Sequence, residues 1–249
     1  MARFGLIGKS LTHSFSKQYF NHKWDLQGVS GNQYDLFELD SIVQFPELII
    51  RNKDLLGLNV TIPYKETIIP WLDQLTPTAR AIGAVNCIRI VEGIRVGHNT
   101  DAGAFQKTLE KWLPPDFEEK ALVLGSGGAS KAVCYSLNQM KIPYTVVSRQ
   151  GDGILYDDLF SAWNTSWRLI INTTPLGMWP NIQTKPNIPY SMLDKRFYLY
   201  DLVYNPEKTL FLALGGQQNC HLKNGLEMLH LQAEESWHFW NQSMNYGRT

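Results

Sequence analysis

The chain has 249 residues, 44% hydrophobic and 18% charged, which is enough apolar material for one large or two modest packed domains and excludes a disordered chain. Its 23 basic and 23 acidic side chains balance to zero net charge, so no basic field for nucleic acid is expected. No apolar run approaches a membrane span and the N-terminus has no signal-peptide core, so the expectation is a cytoplasmic protein with no membrane partner.

Arg3–Ile7 reads as a short apolar strand ending at Gly8. A helix follows, with Ser14 as N-cap and Phe15, Tyr19, Phe20 and Trp24 on one face through about Leu26. Gln33–Leu39 is a second strand, Ser41–Arg51 a helix and Leu55–Val60 a third strand, a rhythm that predicts a mostly parallel sheet covered by helices. Pro63 stops that strand and suits a helix start, so Tyr64–Ile68 is predicted to continue as a helix. Lys65 then falls in the first turn, where the helix dipole disfavours a cation. Cys87–Val91 and Ile94–Gly97 read as a hairpin joined at Glu92 and Gly93. A helix from Asn99 reaches about Trp112 before Pro114 and Pro115 break it, and a domain boundary is placed near Thr100.

A second series opens with the strand Ala121–Leu124, a glycine-rich turn, and a helix carrying Ala132, Val133, Leu137 and Met140. Tyr144–Val147 is a strand, Leu155–Trp163 a helix, Arg168–Ile171 a strand, Arg196–Val203 a strand and Glu207–Leu214 a helix. Asn224 and Gly225 open a last helix with Leu226, Leu229, Ala233, Trp237 and Trp240 on one face. Three cysteines, Cys87, Cys134 and Cys220, share no short spacing and read as core thiols, with no disulfide or metal framework.

Gly125, Ser126, Gly127, Gly128 and Ala129 lie between a strand and a helix, the pattern of a turn that brings backbone N–H groups and a helix dipole to a pyrophosphate. Ser130 replaces the third fingerprint glycine. Where an NAD site carries an acid at the end of the second strand, this chain has Ser148 and Arg149. A guanidinium matches a 2′-phosphate, so NADP(H) is favoured, with Asp152 as the competing ribose partner. In the first half Ser14, Ser16, Asn59, Thr61, Asn86, Asn99 and Asp101 stand at strand ends and helix starts, where a parallel sheet forms its crevice. The two serines, beside free helix N–H groups, can hold a carboxylate, and the Asn and Thr side chains suit a polyhydroxylated ring. Any one of them alone reads as a cap or turn residue, and His13, His22 and His98 read as structural.

The segments His13–Ser16, Asn59–Lys65, Ile82–Asn86, Gly97–Asp101, Gly125–Ala129, Asn172–Met178, Asp201–Pro206 and Asn224–Leu229 with Gln232, in this order, resemble the shikimate dehydrogenase family. The resemblance implies two α/β domains with a cleft between them: a substrate domain of residues 1–100 plus 225–249 and a Rossmann-like NADP domain of residues 101–224. It implies reversible reduction of 3-dehydroshikimate to shikimate by NADPH, in the pathway to chorismate and aromatic amino acids, without a metal, by a monomer or homodimer. Ser14 and Ser16 map to the substrate carboxylate, and Thr61, Lys65, Asn86, Asp101 and Gln232 to the ring hydroxyls, with Lys65 and Asp101 as the catalytic pair. Asn59 and Tyr204 join the substrate set, and Ser148, Arg149, Thr173 and Gly225 join the glycine turn in the cofactor set. Lys9, Ser10 and Lys17 depart from the family pattern, and Ser148-Arg149-Gln150 keeps only the arginine of its motif. The competing readings are a quinate/shikimate dehydrogenase with relaxed NAD/NADP use and a non-catalytic homologue that senses NADP or a metabolite.

Overall fold

The computed structural model describes residues 2–242 apart from 13, 152 and 165, so the expectations for His13 and Asp152 lie outside the described residues. The chain divides into two units, one of Met1–Thr100 with Ala233–Thr249 and one of Asp101–Gln232.

The first unit is built from β1 (Ala2–Gly8), α1 (Phe15–Leu26), β2 (Asn32–Glu38), α2 (Phe45–Arg51), β3 (Leu55–Val60), β4 (Gln74–Leu75), α3 (Pro77–Ile82), β5 (Cys87–Val91) and β6 (Ile94–His98). Its sheet runs β2-β1-β3-β5-β6-β4, and β5 points against the other five strands. That reversal places the start of β5 at the edge where β1, β3 and β6 end. One face of the sheet packs Ile7, Leu58, Val60 and Ile88 against Phe45 and Leu48 of α2. The other packs Phe4 and Tyr34 against Phe20 and Trp24 of α1 and the last helix. Gly57 is required there, because a Cβ would come 2.5 Å from the Trp240 ring.

The second unit follows as α4 (Asp101–Trp112), β7 (Lys120–Leu124), α5 (Gly128–Gln139), β8 (Tyr144–Ser148), β9 (Ile154–Leu155), α6 (Leu159–Ala162), β10 (Trp167–Asn172), β11 (Tyr198–Asp201), α7 (Leu210–Gln217) and β12 (His221–Lys223), and leads into α8 (Leu226–Asn241). Every pairing in its sheet is parallel, in the order β12-β11-β10-β7-β8-β9. This is the doubly wound order, and the direction of winding reverses between β7 and β10, the point where such sheets bind ligands. Ala121 and Val123 enter one core and Leu122 and Leu124 the other, as expected of a strand covered on both faces. Met228 of α8 belongs to a core of the second unit, and Ala233, Phe239 and Trp240 to a core of the first.

One predicted helix does not form and another is cut to its second half. Residues 64–68 are a series of turns, with Tyr64 N–H on the Thr61 carbonyl, Ile68 N–H on Tyr64 and Ile69 N–H on Glu66. A helix is blocked because the Lys65 carbonyl accepts Val85 N–H at 2.7 Å, and Pro70 has no N–H to extend the ladder. Lys65 therefore sits at no helix N-terminus. Residues 155–163 begin as β9, because Gly151 and Gly153, at φ 102° and 111°, swing the chain back onto β8, leaving only the short α6. Boundaries also shift. The predicted helix at Ser41 starts as a 3-10 turn capped by Ser41 and Gln44, and α7 begins at Leu210, where the Thr209 hydroxyl accepts from Leu212 N–H.

Candidate active site

In the first unit the carboxyl edge of the sheet gathers the neutral polar residues. Register sets Asn59 beside Cys87 and Cys87 beside His98, so the residues flanking them, Thr61, Asn86 and Thr100, fall together. Val60 N–H donates to the Asn86 carbonyl at 2.8 Å, Asn86 N–H to the His98 carbonyl, and Thr61 N–H to the Ile7 carbonyl. Val85 N–H on the Lys65 carbonyl ties the lysine backbone to the same edge. Gly8 permits the close approach, since a Cβ there would lie 2.7 Å from Thr61 Cγ2.

The Asn86 carboxamide is clamped on Thr100. Its Oδ1 accepts Thr100 N–H at 2.7 Å and its Nδ2 donates to Thr100 Oγ1 at 2.9 Å. Asn59 is buried and used internally: Oδ1 accepts from the Tyr34 hydroxyl, and both amide hydrogens go to the Asn86 carbonyl and the Ser236 hydroxyl. Ser14 stands at the N-cap of α1 with no capping bond, and its hydroxyl is buried without a partner among the described residues. Ser16 lies within hydrogen-bonding reach of the Tyr34 phenol. His98 is structural: it bonds Thr76 Oγ1 and packs its ring tilted against Phe239, and burial holds its pKa down to about 4.

In the second unit the glycine turn leaves β7 at the reversal point. Gly125 sits at φ 116°, a conformation open to glycine, and a Cβ would lie 2.6 Å from Thr173 Oγ1. Gly127 caps α5 with open space where its Cβ would stand, so the turn offers a bare cradle at a helix N-terminus. Ser126 and Gly127 are exposed, while Gly128 and Ala129 form the first turn of α5. Those residues fit a pyrophosphate. Thr173 locks the cradle from β10, since both its hydroxyl and its N–H donate to the Leu124 carbonyl. Ser148 is buried and closes its own loop by donating to the Gln150 carbonyl at 2.7 Å. Arg149 beside it is exposed, and its charge opposes the burial that pushes the Tyr156 phenol up to about 12. Gly225 is a packing glycine, because a Cβ would stand 2.1 Å from the Leu202 carbonyl oxygen. Tyr204 is half-buried, with its phenol pushed up by burial, and Gln232 donates to the Leu229 carbonyl at 2.9 Å. Asp101 is buried at the start of α4.

Two organising residues were missed by the sequence reading. Asp201 ends β11 with no exposure and accepts from Thr209 Oγ1 at 2.5 Å, Asn172 Nδ2 at 2.9 Å and Val203 N–H at 3.0 Å. Asn172 in turn accepts from Thr174, so this one carboxylate holds the loop after β10. Burial pushes the carboxyl up to about 6 despite those three donors. Its signal was an acid at the end of an apolar strand. Ser236 is the second; it lies in the stripe of Leu229, Ala233 and Trp240, where the helical period marks a buried position. Among the described residues no cluster could hold a metal ion, and no helix is long and apolar enough to cross a membrane.

Residues 6–88 match the family model described as the shikimate dehydrogenase substrate binding domain. The NADP(+) shikimate dehydrogenase of Caldicellulosiruptor bescii is 32% identical over 98% of this chain and 91% of that one. The enzyme of the same name from Methanococcus aeolicus is 33% identical over 95% and 90%. Among solved structures, shikimate dehydrogenase 1 of Peptoclostridium difficile superposes with a TM-score of 0.87 at 33% identity, covering 98% of this chain and 94% of that one. Shikimate 5-dehydrogenase of Thermus thermophilus, in complex with NADP(H) and shikimate, superposes with a TM-score of 0.84 at 28% identity, covering 97% and 94%. An edge of neutral hydrogen-bonding groups, a doubly wound sheet with a bare glycine cradle, and full-length likeness to these enzymes agree: the chain belongs to the shikimate dehydrogenase family.

Proposed function

We propose that this chain catalyses the reversible, NADP-dependent reduction of 3-dehydroshikimate to shikimate. The observation that carries the reading, beside full-length kinship, is the buried, unpartnered Ser14 hydroxyl at the N-terminus of α1. It supplies a hydrogen-bond donor to an anion beside a helix dipole, with Thr61 and Asn86 at the edge of the same unit. Ser14 and Ser16 hold the substrate carboxylate, and Thr61, Asn86, Asp101, Gln232 and Tyr204 read the rest of the molecule. The Asn59 amide hydrogens are committed elsewhere, so Asn59 supports Asn86 from behind.

Gly125, Ser126, Gly127, Gly128 and Ala129 cradle the pyrophosphate, and Arg149 meets the 2′-phosphate. Ser148, Thr173 and Gly225 shape that surface from behind through the contacts described above. Bound NADPH supplies the hydride. The proton on the new hydroxyl comes from the Lys65 ammonium, and Asp101 is the second member of the catalytic pair. In the reverse direction the Lys65 side chain takes the proton back from the substrate hydroxyl. A cytoplasmic setting, which suits three free thiols, and a monomeric or homodimeric state complete the proposal.

The test is oxidation of shikimate by the purified chain with NADP, run beside NAD and beside quinate. Turnover with shikimate and NADP well above both controls is expected. Preference for NAD overturns the Arg149 assignment, and preference for quinate overturns the substrate.

A further inference from the structure

A buried chain of polar side chains crosses the first unit. The Tyr34 hydroxyl donates to Asn59 Oδ1 at 2.9 Å, Asn59 Nδ2 donates to Ser236 Oγ at 2.8 Å, and Ser236 Oγ meets Thr100 Oγ1 at 3.3 Å. Thr100 then clamps the Asn86 carboxamide through its N–H and its hydroxyl. All five residues are buried, and Ser236 and Thr100 have no exposure at all. They come from β2, β3, the segment before β5, the segment after β6, and α8, so elements distant in sequence meet in one network.

A buried hydroxyl in a helix otherwise lined with Ala233, Phe239 and Trp240 costs desolvation that only hydrogen bonds offset, and an alanine would pack there without that cost. What the hydroxyl adds is direction. Without the Ser236 hydroxyl, Asn59 keeps one amide hydrogen without its acceptor, and Thr100 Oγ1 loses a contact that holds its rotamer in addition to the one from Asn86. The clamp leaves Asn86 one amide hydrogen and one Oδ1 lone pair beyond the bonds to Thr100, and their orientation is set jointly by the Thr100 N–H and by its hydroxyl, whose rotamer Ser236 helps hold.

We propose that Ser236 is a positioning residue of the substrate site: through Thr100 it sets the orientation in which Asn86 meets a ring hydroxyl of the substrate. The inference rests on the shikimate dehydrogenase reading given above. Ser236 touches neither substrate nor cofactor; it acts through two intervening side chains, and it belongs to α8, a helix whose apolar residues account for its packing.

The test compares Ser236→Ala, Thr100→Val, Thr100→Ser and the double variant Ser236→Ala/Thr100→Val, with kcat and KM for shikimate, the Kd for NADP by titration calorimetry, and Tm. Ser236→Ala should lower kcat/KM for shikimate by about tenfold, below the ~10²-fold that a full 1 Å misplacement can cost, and leave the NADP Kd within about twofold. Thr100→Ser, which keeps the hydroxyl, should recover most of what Thr100→Val loses. The double variant should fall little below Thr100→Val alone, because both substitutions break one chain. A folded Ser236→Ala enzyme with unchanged shikimate kcat/KM overturns the proposal, as does equal weakening of NADP or full additivity in the double variant. A Tm loss without a shikimate-specific effect assigns Ser236 to packing and likewise overturns it. Wild-type protein that neither oxidises nor binds shikimate overturns the function reading itself, an outcome separate from active wild type matched by an equally active variant.

Discussion

Lys65 lies in a run of turns and is anchored by its backbone: its carbonyl accepts Val85 N–H at 2.7 Å, and Tyr64 beside it is buried. Removing the side chain leaves both anchors in place, so Lys65→Ala should still fold, as circular dichroism would show. Its kcat should fall by about 10²-fold or more, with a much smaller change in KM, if the ammonium moves the proton. Intact kcat with a large rise in KM would reassign Lys65 to binding. The same distinction between what a residue type offers and where its atoms are spent runs through the other site residues. Asn59, Ser148, Thr173 and Gly225 were chosen by residue type and motif, yet each is engaged by a neighbour within its own unit. Ser14 is the opposite case, a cap by type whose hydroxyl makes no capping bond.

The hairpin of β5 and β6 carries the start of β5 to the functional edge, and its turn is the feature that pattern alone left open. Glu92 and Gly93 have φ of 51° and 82°, both positive, as a type I′ turn requires. Glutamate is strained there and asparagine is not, so Glu92→Asn should stabilise the fold by about 0.5–1 kcal/mol. Urea denaturation checks it: the midpoint should rise at constant slope, and a lower midpoint rejects the turn assignment. Arg89 in the same hairpin is buried between the apolar Ile88 and Ile90, where alternation alone marks no arginine as functional. Its Nη1 donates to the Phe239 and Gln242 carbonyls, and its guanidinium stands 5.0 Å from the Phe239 ring. It thereby caps the end of α8, where the dipole favours a cation, and secures the helix that bears Ser236.

Across the whole molecule, half-buried His98 and buried Asp201 titrate in the same acid window with opposite sign. His98, in the first unit, is held down to about 4 by burial, so as pH falls from 6.5 toward 4 the unfolded chain takes up its proton first and stability is lost. Asp201, in the second, is pushed up to about 6 by burial, so the folded state takes up its proton first as pH falls from 6 toward 4 and stability is gained. Relative to wild type, His98→Gln should shrink the Tm drop between pH 7 and pH 5 by roughly a few degrees, and Asp201→Asn should enlarge it. Thermal melts at the two pH values decide the matter; shifts in the same direction for both variants would refute the assignment.

The amino-acid sequence by itself determined whatever depends on near neighbours in the chain. The βαβ rhythm, the strand–glycine–helix turn at Gly125–Gly128, the hairpin, and the final helix with its apolar stripe all follow from local periodicity and backbone preference, and the structure contains each of them. The tertiary structure alone decided what depends on distant partners. Val85 N–H on the Lys65 carbonyl, together with Pro70, turned a predicted helix into turns, and pairing with β8 turned the start of another into β9. The antiparallel course of β5 brought Thr61, Asn86 and Thr100 to one edge, and α8 supplied the hydroxyl that links them to Asn59. A hydrogen bond between residues 59 and 236 leaves no trace in local pattern, because each residue's type is compatible with many partners and only the packed chain selects one.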